Sequence, residues 1–161
     1  MTMFEAARWA PSAFNSQPWR FLYAARDDEM WEEFLGFLIS WNQDWARSAS
    51  MLVYILSDSL METKWGGETV SHSHSFDAGA AWVCLALQAA RLGYHTHAMS
   101  GVDFDRARIA LRVPDRFRME AAVAIGRLGD PDTLSEKLRA REGPSDRKQL
   151  TQMVFRGRFP G

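Results

Sequence analysis

Residues Phe76–Leu92 constrain this chain more than any other stretch. At helical spacing, Ala78, Ala80, Ala81, Trp82, Val83, Leu85, Ala86, Leu87 and Ala89 put apolar groups on nearly every side of one helix. A helix of that kind must be buried on most of its surface. Either it is the central helix of a monomer, or half of it packs against another subunit. Ser75 can cap its start, Asp77 lies in its first turn, and Gly93 stands just past its end. Its apolar core, Ala78–Ala90, is the longest such run in the chain. Gln88 breaks it, and it is too short to cross a bilayer.

The other elements must cover that helix. Trp19–Ala25 alternates, with Trp19, Phe21 and Tyr23 on one face and Arg20 and Leu22 on the other, and reads as a strand. Met51–Leu56 is a continuous apolar run expected of a buried strand. Shorter strands are expected at Tyr94–Ala98 and at Glu120–Ile125, where Gly126 stops the run. Met3–Trp9 reads as the end of a helix stopped by Pro11. Asp27 or Asp28 opens a helix to about Leu38, with Trp31, Phe34, Leu35 and Leu38 as its stripe. A turn of helix follows at Asn42–Arg47, and Asp103 caps a helix that ends before Pro114. Asp58–Ser75 is polar, contains Gly66-Gly67, and reads as a mobile loop of the kind that covers sites. Gly129–Arg147 is charged and rich in turn formers, and Leu150–Phe159 is an extended amphipathic tail. The strands are too few for a large parallel sheet, so the expectation is one α+β domain.

Composition narrows the function. The 161 residues are 47% hydrophobic and 24% charged, which suits one folded domain and excludes a largely disordered chain. With 19 basic against 20 acidic residues, there is no electrostatic footprint for nucleic acid and no basic face for a membrane. The first residues lack the basic and apolar regions of a signal peptide, and a lone cysteine, Cys84, suits a reducing cytoplasm. The seven tryptophans fill cores well and also make walls for a planar ligand. Trp19, Trp31 and Trp82 fall on apolar faces, whereas Trp41 and Trp65 border loops and are the candidates to stack on a bound ring. His72 with His74, and His95 with His97, have the i, i+2 spacing that could place two ligands on one face. Neither pair has a further cysteine or histidine to complete a metal set, so no metal site is assigned. The first pair reads as loop and the second as a strand end.

The sharpest segment is Pro11-Ser12-Ala13-Phe14-Asn15-Ser16-Gln17-Pro18-Trp19. A helix stops at Pro11, a loop carries two amides, Asn15 and Gln17, and Pro18 holds its predecessor extended. An amide both donates and accepts, so it can read an alternating N–H/C=O ring edge. A tight, satisfied helix-to-strand turn would have the same composition. The run closely resembles the Pro-Ser-x-x-Asn-x-Gln-Pro-Trp segment that lies against the isoalloxazine ring in the nitroreductase family of flavin mononucleotide (FMN) enzymes. The likeness continues in order along the chain. Asn42-Gln43-Asp44-Trp45-Ala46 resembles the family's Asn-x-x-Trp-Ala turn, and Phe76-Asp77-Ala78-Gly79-Ala80-Ala81 the start of its central helix. His97-Ala98-Met99-Ser100-Gly101-Val102-Asp103 resembles its His-x-Met-x-Gly-Phe-Asp segment. Glu120–Arg127 resembles its strand ending in Ile-Gly, and Arg147-Lys148 before Leu150 its Arg-Lys-Pro-Leu.

The resemblance implies a nitroreductase-like α+β sandwich, with a mixed, mainly antiparallel sheet flanked by helices. It implies a homodimer with two FMN sites, each lined by both chains, and a tail of residues 148–161 lying on the partner. Pro11, Ser12, Asn15 and Gln17 would border the ring. Backbone N–H groups of Ser100 and Gly101 would face its N5 and O4, and Arg147 with Lys148 would hold the phosphate. Gly101 would also allow close approach or a positive φ. His97, Trp41 and Trp65 would meet the substrate. The implied reaction is ping-pong hydride transfer from NAD(P)H to a small planar acceptor such as a nitroaromatic, quinone or activated alkene, with no catalytic triad. The family's Arg-x-Ser-x-Arg stretch ahead of the segment starting here at Phe4 is absent from this sequence. That departure raises two expectations: FMN binding weaker by about 10- to 100-fold, or a non-catalytic, dimeric flavin or ligand binder.

Overall fold

The computed structural model describes residues 1–160, which form two compact units, Met1–Leu128 and the residues from Gly129 on. In the first, four strands make one antiparallel sheet in the order β1 (Trp19–Ala25), β2 (Met51–Asp58), β6 (Phe117–Gly126), β5 (His95–Met99). A small hairpin, β3 (Leu60–Glu62) with β4 (Glu68–Val70), comes after β2.

Period-two alternation sends the strand side chains to two separate cores. Leu52, Tyr54, Leu56, Ala122 and Ala124 face α2 (Trp31–Gly36), α3 (Ser40–Ala46) and α5 (Phe104–Ala110). Val53, Ile55, Val123 and Ile125 face α1 (Thr2–Arg8) and α4 (His74–Arg91). Tyr54 is fully buried in the first core, where its hydroxyl donates to Phe34 O at 2.9 Å and burial pushes its pKa up. The sandwich of helices on both faces of an antiparallel sheet agrees with the expectation from sequence. No helix among the described residues is long and apolar enough to cross a membrane.

Several expectations need correction. The segment Asp58–Ser75 contains the β3–β4 hairpin, whose tip turns through Gly66 (φ 87°) and Gly67 (φ 82°). His74 belongs to α4, which starts there and not at Phe76. Asp28 does not cap α2; its Oδ2 accepts from Ala25 N at 2.7 Å and closes the turn after β1. Helix α2 ends at Gly36, because Leu38 leaves it to bridge Val102. Helix α4 buries only one face, through Ala78, Ala81, Leu85 and Ala89. Phe76 (82%) and Leu87 (63%) lie open, so the helix is not buried on most of its sides within this chain.

The second unit holds short 3-10 turns at Pro131–Thr133 and Leu150–Gln152 and helix α6 (Glu136–Arg139), with Ser135 Oγ accepting from Leu138 N at its start. It begins at Gly129 and takes in both the charged, turn-rich stretch and the described residues of the expected tail.

One irregularity in the main sheet fixes the start of α4. Between Ile55/Ala121 and Leu56/Met119 the register of β2 against β6 shifts, which leaves Glu120 as the extra residue of a bulge. Met119 and Phe117 therefore pack with the α2–α3–α5 core, although odd-numbered residues beyond the bulge face the other way. Glu120 is redirected towards α4, and re-aiming a side chain is a usual consequence of a bulge. Its Oε1 accepts from Ser57 Oγ at 2.5 Å and from Ser75 Oγ at 2.6 Å, while His74 Nδ1 lies 2.7 Å from Ser57 Oγ. Arg118 Nε stands 3.4 Å from the second carboxylate oxygen. Glu120→Ala removes the acceptor of two hydroxyls, that of Ser57 being fully buried. It should cost about 2–3 kcal/mol, read as a lower urea midpoint, and Glu120→Gln should cost less. An unchanged midpoint in the alanine variant would contradict this role.

Candidate functional site

The register places four chain segments at one end of the sheet. Trp19 pairs with Ser57 and Ser57 with Arg118, while β5 runs from His95 opposite Gly126 to Met99 opposite Ala122. The start of β1, the end of β2, the start of β6 and the end of β5 therefore lie together. The Pro11–Pro18 loop enters β1 there, the hairpin leaves β2 there, and Ser100-Gly101 leaves β5 there.

The Pro11–Pro18 loop is strained. Phe14, Asn15 and Gln17 have φ of 53°, 57° and 50°, left-handed values that cost about 1 kcal/mol or more for a residue with a Cβ. Local bonds hold this shape: Gln17 N donates to Ser12 Oγ at 3.0 Å, Gln17 Nε2 to Asn15 O at 3.1 Å, and Asn15 N to Ser12 O at 3.1 Å. A longer-range bond runs from Ala13 N to Asp77 Oδ2 at 3.0 Å. Ser12 and the amide nitrogen of Gln17 thus close the loop on itself. The carboxamide of Asn15 makes no hydrogen bond among the described residues and is exposed. Pro11 is exposed beside it, and Ser16 Oγ is buried with no partner. Strain of this sort collects where a loop has a task.

Ser100-Gly101 belongs to the other face of the sheet. Gly101 O accepts from Ile39 N at 3.0 Å and from Asn42 Nδ2 at 3.1 Å, which fastens the segment between α2 and α3. A Cβ on Gly101 would stand 2.5 Å from Asn42 Nδ2 and 2.7 Å from Ile39 Cδ1. Glycine is needed here for a close approach within the chain itself, and its φ is not positive. The backbone N–H groups of Ser100 and Gly101 make no backbone hydrogen bond among the described residues. Two adjacent free donors suit a negative or electron-rich atom.

The expected substrate residues are spread around this end. Trp41 lies in the first turn of α3, half-buried. His97 meets the ring of Trp45 edge-on, with centroids 4.9 Å apart. Trp45 is part of the Asn42–Ala46 turn, and nothing in the sequence of that turn reveals it as the wall behind His97. Trp65 (85% exposed) stands at the hairpin tip with Lys64 Nζ 4.5 Å over its ring. Arg147 and Lys148 lie in the second unit, where Arg147 Nη1 donates to Ser145 O at 2.9 Å and Ser145 Oγ at 2.7 Å.

The hairpin is tied to the sheet by charge. Arg116 Nε bonds Asp58 Oδ1 at 2.8 Å and its Nη2 meets Glu68 Oε1 at 2.8 Å. Burial pushes the Asp58 carboxyl up, but Arg116 and the N–H of Leu60 outweigh it and hold the pKa below the ordinary 3.8. A lowered folded pKa stabilises the protein above the ordinary value, and that stability is lost as pH falls through the folded value. Wild type should therefore lose thermal stability between about pH 5 and pH 2 more steeply than Asp58→Asn. Parallel curves for the two proteins would contradict the assignment.

Comparison with known proteins bears on this geometry. The sequence profile of the nitroreductase family matches residues 1–40. A solved structure described as an oxidoreductase containing FMN is 49% identical, superposes with a TM-score of 0.95, and shares 99% of this chain and 81% of its own. A nitroreductase family protein from Streptococcus pneumoniae TIGR4 has the same fold at 21% identity and a TM-score of 0.73, over 96% of this chain and 86% of that one. A further relative, an uncharacterized 15.4 kDa protein in the ask 5'region of Mycolicibacterium smegmatis, is 35% identical over 133 residues, 82% of this chain and 86% of its own length.

Proposed function

This chain belongs to the nitroreductase family, and on that premise we propose that it is an FMN-dependent oxidoreductase that uses NAD(P)H to reduce a small planar acceptor. The observation that carries the proposal is the set of free polar groups at one end of the sheet: the Asn15 carboxamide and the two N–H groups of Ser100 and Gly101. Bound FMN would supply the chemistry, taking hydride from NAD(P)H in one half-reaction and giving it to a nitroaromatic, quinone or activated alkene in the next. Asn15 donates to and accepts from a ring edge. Ser100 and Gly101 donate to an atom that gains negative charge, as an oxyanion hole does. Arg147 and Lys148 supply the positive charge for a phosphate, to which a guanidinium fork is suited. Trp41, Trp65 and His97 form the walls against which the acceptor lies.

The same geometry favours a homodimer. The loop of Asn15 is fastened to α4 on one face and one edge of the sheet, and Ser100-Gly101 to α2–α3 on the opposite face and the opposite edge. Three strand spacings separate the edges, about 14 Å. A planar ring meeting both within a single chain would have to reach across the sheet, whereas a second copy can bring its own loop to the first copy's Ser100-Gly101. The open face of α4, with Phe76 and Leu87, is the apolar surface for that contact, and the tail from residue 148 lies on the partner. A reducing cytoplasm suits the single Cys84.

Two tests apply. The FMN-loaded protein should bleach when NADH or NADPH is added without oxygen; flavin that binds and stays oxidised would favour the non-catalytic binder instead. Asn15→Gly removes the carboxamide and relieves the left-handed strain. It should weaken FMN binding about 5- to 10-fold with thermal stability unchanged or higher. Unchanged affinity would take Asn15 out of the site.

A further inference from the structure

We propose that Asp77 is the positioning residue of the cofactor loop: its carboxylate oxygen holds residues 12–17 in the strained shape that exposes the Asn15 carboxamide. The proposal rests on the reading of that loop as a flavin-binding segment. From sequence, Asp77 has only a helix role, as a negative charge in the first turn of α4. The structure gives it a second one. It is 4% exposed, and its Oδ2 accepts both Ala13 N from the loop at 3.0 Å and Ser73 Oγ at 3.0 Å. Ala13 N is the first donor of the 3-10 turn Ala13–Asn15, in which Phe14 and Asn15 both have positive φ.

The other bonds of the loop are local. Ser12, Asn15 and Gln17 bond among themselves, and Gln17 O accepts from Arg20 Nη1 at 3.0 Å only three residues on, so these bonds can move with the loop if it shifts as a body. The neighbouring bond at Asp58 N to Pro18 O fixes the far end of the loop, where it becomes β1. Between Pro11 and Pro18, Asp77 is the hydrogen-bonded tie to an element distant in sequence. That tie is itself immobile, because α4 begins at His74 and Ser75, which the Ser57–Glu120 cluster fixes to the sheet. The bulge, the cluster, Asp77 and the loop form one line of support from sheet to site. Both bonds fall on one oxygen, so the feature that matters is an acceptor in that place. Asparagine can present the same oxygen without the charge.

Two readouts separate this role from general stability. The first needs no flavin. Phe14 is 89% exposed, and its left-handed turn is a poor protease substrate until it opens. Chymotrypsin should cut after Phe14 about tenfold faster in Asp77→Ala than in wild type, with other cuts unchanged. The second is the FMN dissociation constant by fluorescence quenching, which should rise about tenfold in Asp77→Ala. Asp77→Asn should stay within about threefold of wild type in both measurements. Should Asp77→Ala fail to fold, Ala13→Pro deletes the same bond from the loop side and should weaken FMN binding likewise. Wild-type behaviour of Asp77→Ala in both measurements would overturn the proposal, as would an asparagine variant as impaired as the alanine one. A wild-type chain that takes up no FMN would instead overturn the functional reading, while the cleavage rates would still decide the role of Asp77.

Discussion

The bulge at Glu120 is the constraint on which the rest of the structure depends. A regular β2–β6 ladder would keep Glu120 in step with Ala122 and Ala124 and drive a carboxylate into the core formed by Leu52, Tyr54 and Leu56. An unpaired charge there would be prohibitively unfavourable. The extra residue turns it to the opposite face, where two serine hydroxyls satisfy it and α4 acquires a fixed start. The long helix is thus placed by a polar cluster at one end and by buried apolar residues, Ala78, Ala81, Leu85 and Ala89, along its length. The Pro11–Pro18 loop, bonded to α4 through Asp77, takes its position from that pair of restraints.

Much of this was legible in the sequence, for identifiable reasons. Trp19–Ala25 and Met51–Leu56 were readable because alternation and continuous apolarity report directly on one-sided and two-sided burial. Asp103 was readable as a cap because a short acidic residue before a helix has one favoured use, and its Oδ1 does accept from Arg106 N. The hairpin at residues 60–70 escaped because its strands have three residues each, too few to show a period, and little of it is buried. The bulge escaped because an inserted residue changes parity without changing composition. Asp28 shows a further limit: the same residue type closes turns and caps helices, and tertiary context chose the turn.

The site was legible in its segments but not in its assembly. The runs Pro11–Trp19 and His97–Asp103 both lead to the same end of the sheet, yet sequence order says nothing about which face or edge each occupies. The structure puts them on opposite faces and opposite edges. Gly101 is instructive: it reads as freedom for a ligand, and in the fold it makes room for Ile39 and Asn42. Its packing and its free N–H serve together, since the contact that needs glycine also fixes where that N–H points. Asp77 and Trp45 were hidden for the opposite reason. Each already had a sufficient local explanation, Asp77 as a helix-end charge and Trp45 as part of the Asn42–Ala46 turn.

In the proposed dimer a working site combines the Asn15 loop of one copy with Ser100-Gly101 of another, and mixing two defective chains tests that pairing. Asn15→Gly removes the loop's carboxamide, and Ser100→Pro removes a backbone donor that no backbone acceptor among the described residues uses. Each variant alone should bind FMN poorly and oxidise NAD(P)H slowly. Unfolded and refolded together, they should form mixed dimers in which one site carries both defects and the other carries neither. Recovery of about a quarter of wild-type activity is expected, as random pairing requires. No recovery above the average of the two variants, in samples shown to contain mixed dimers, would contradict it and place the whole site within one chain.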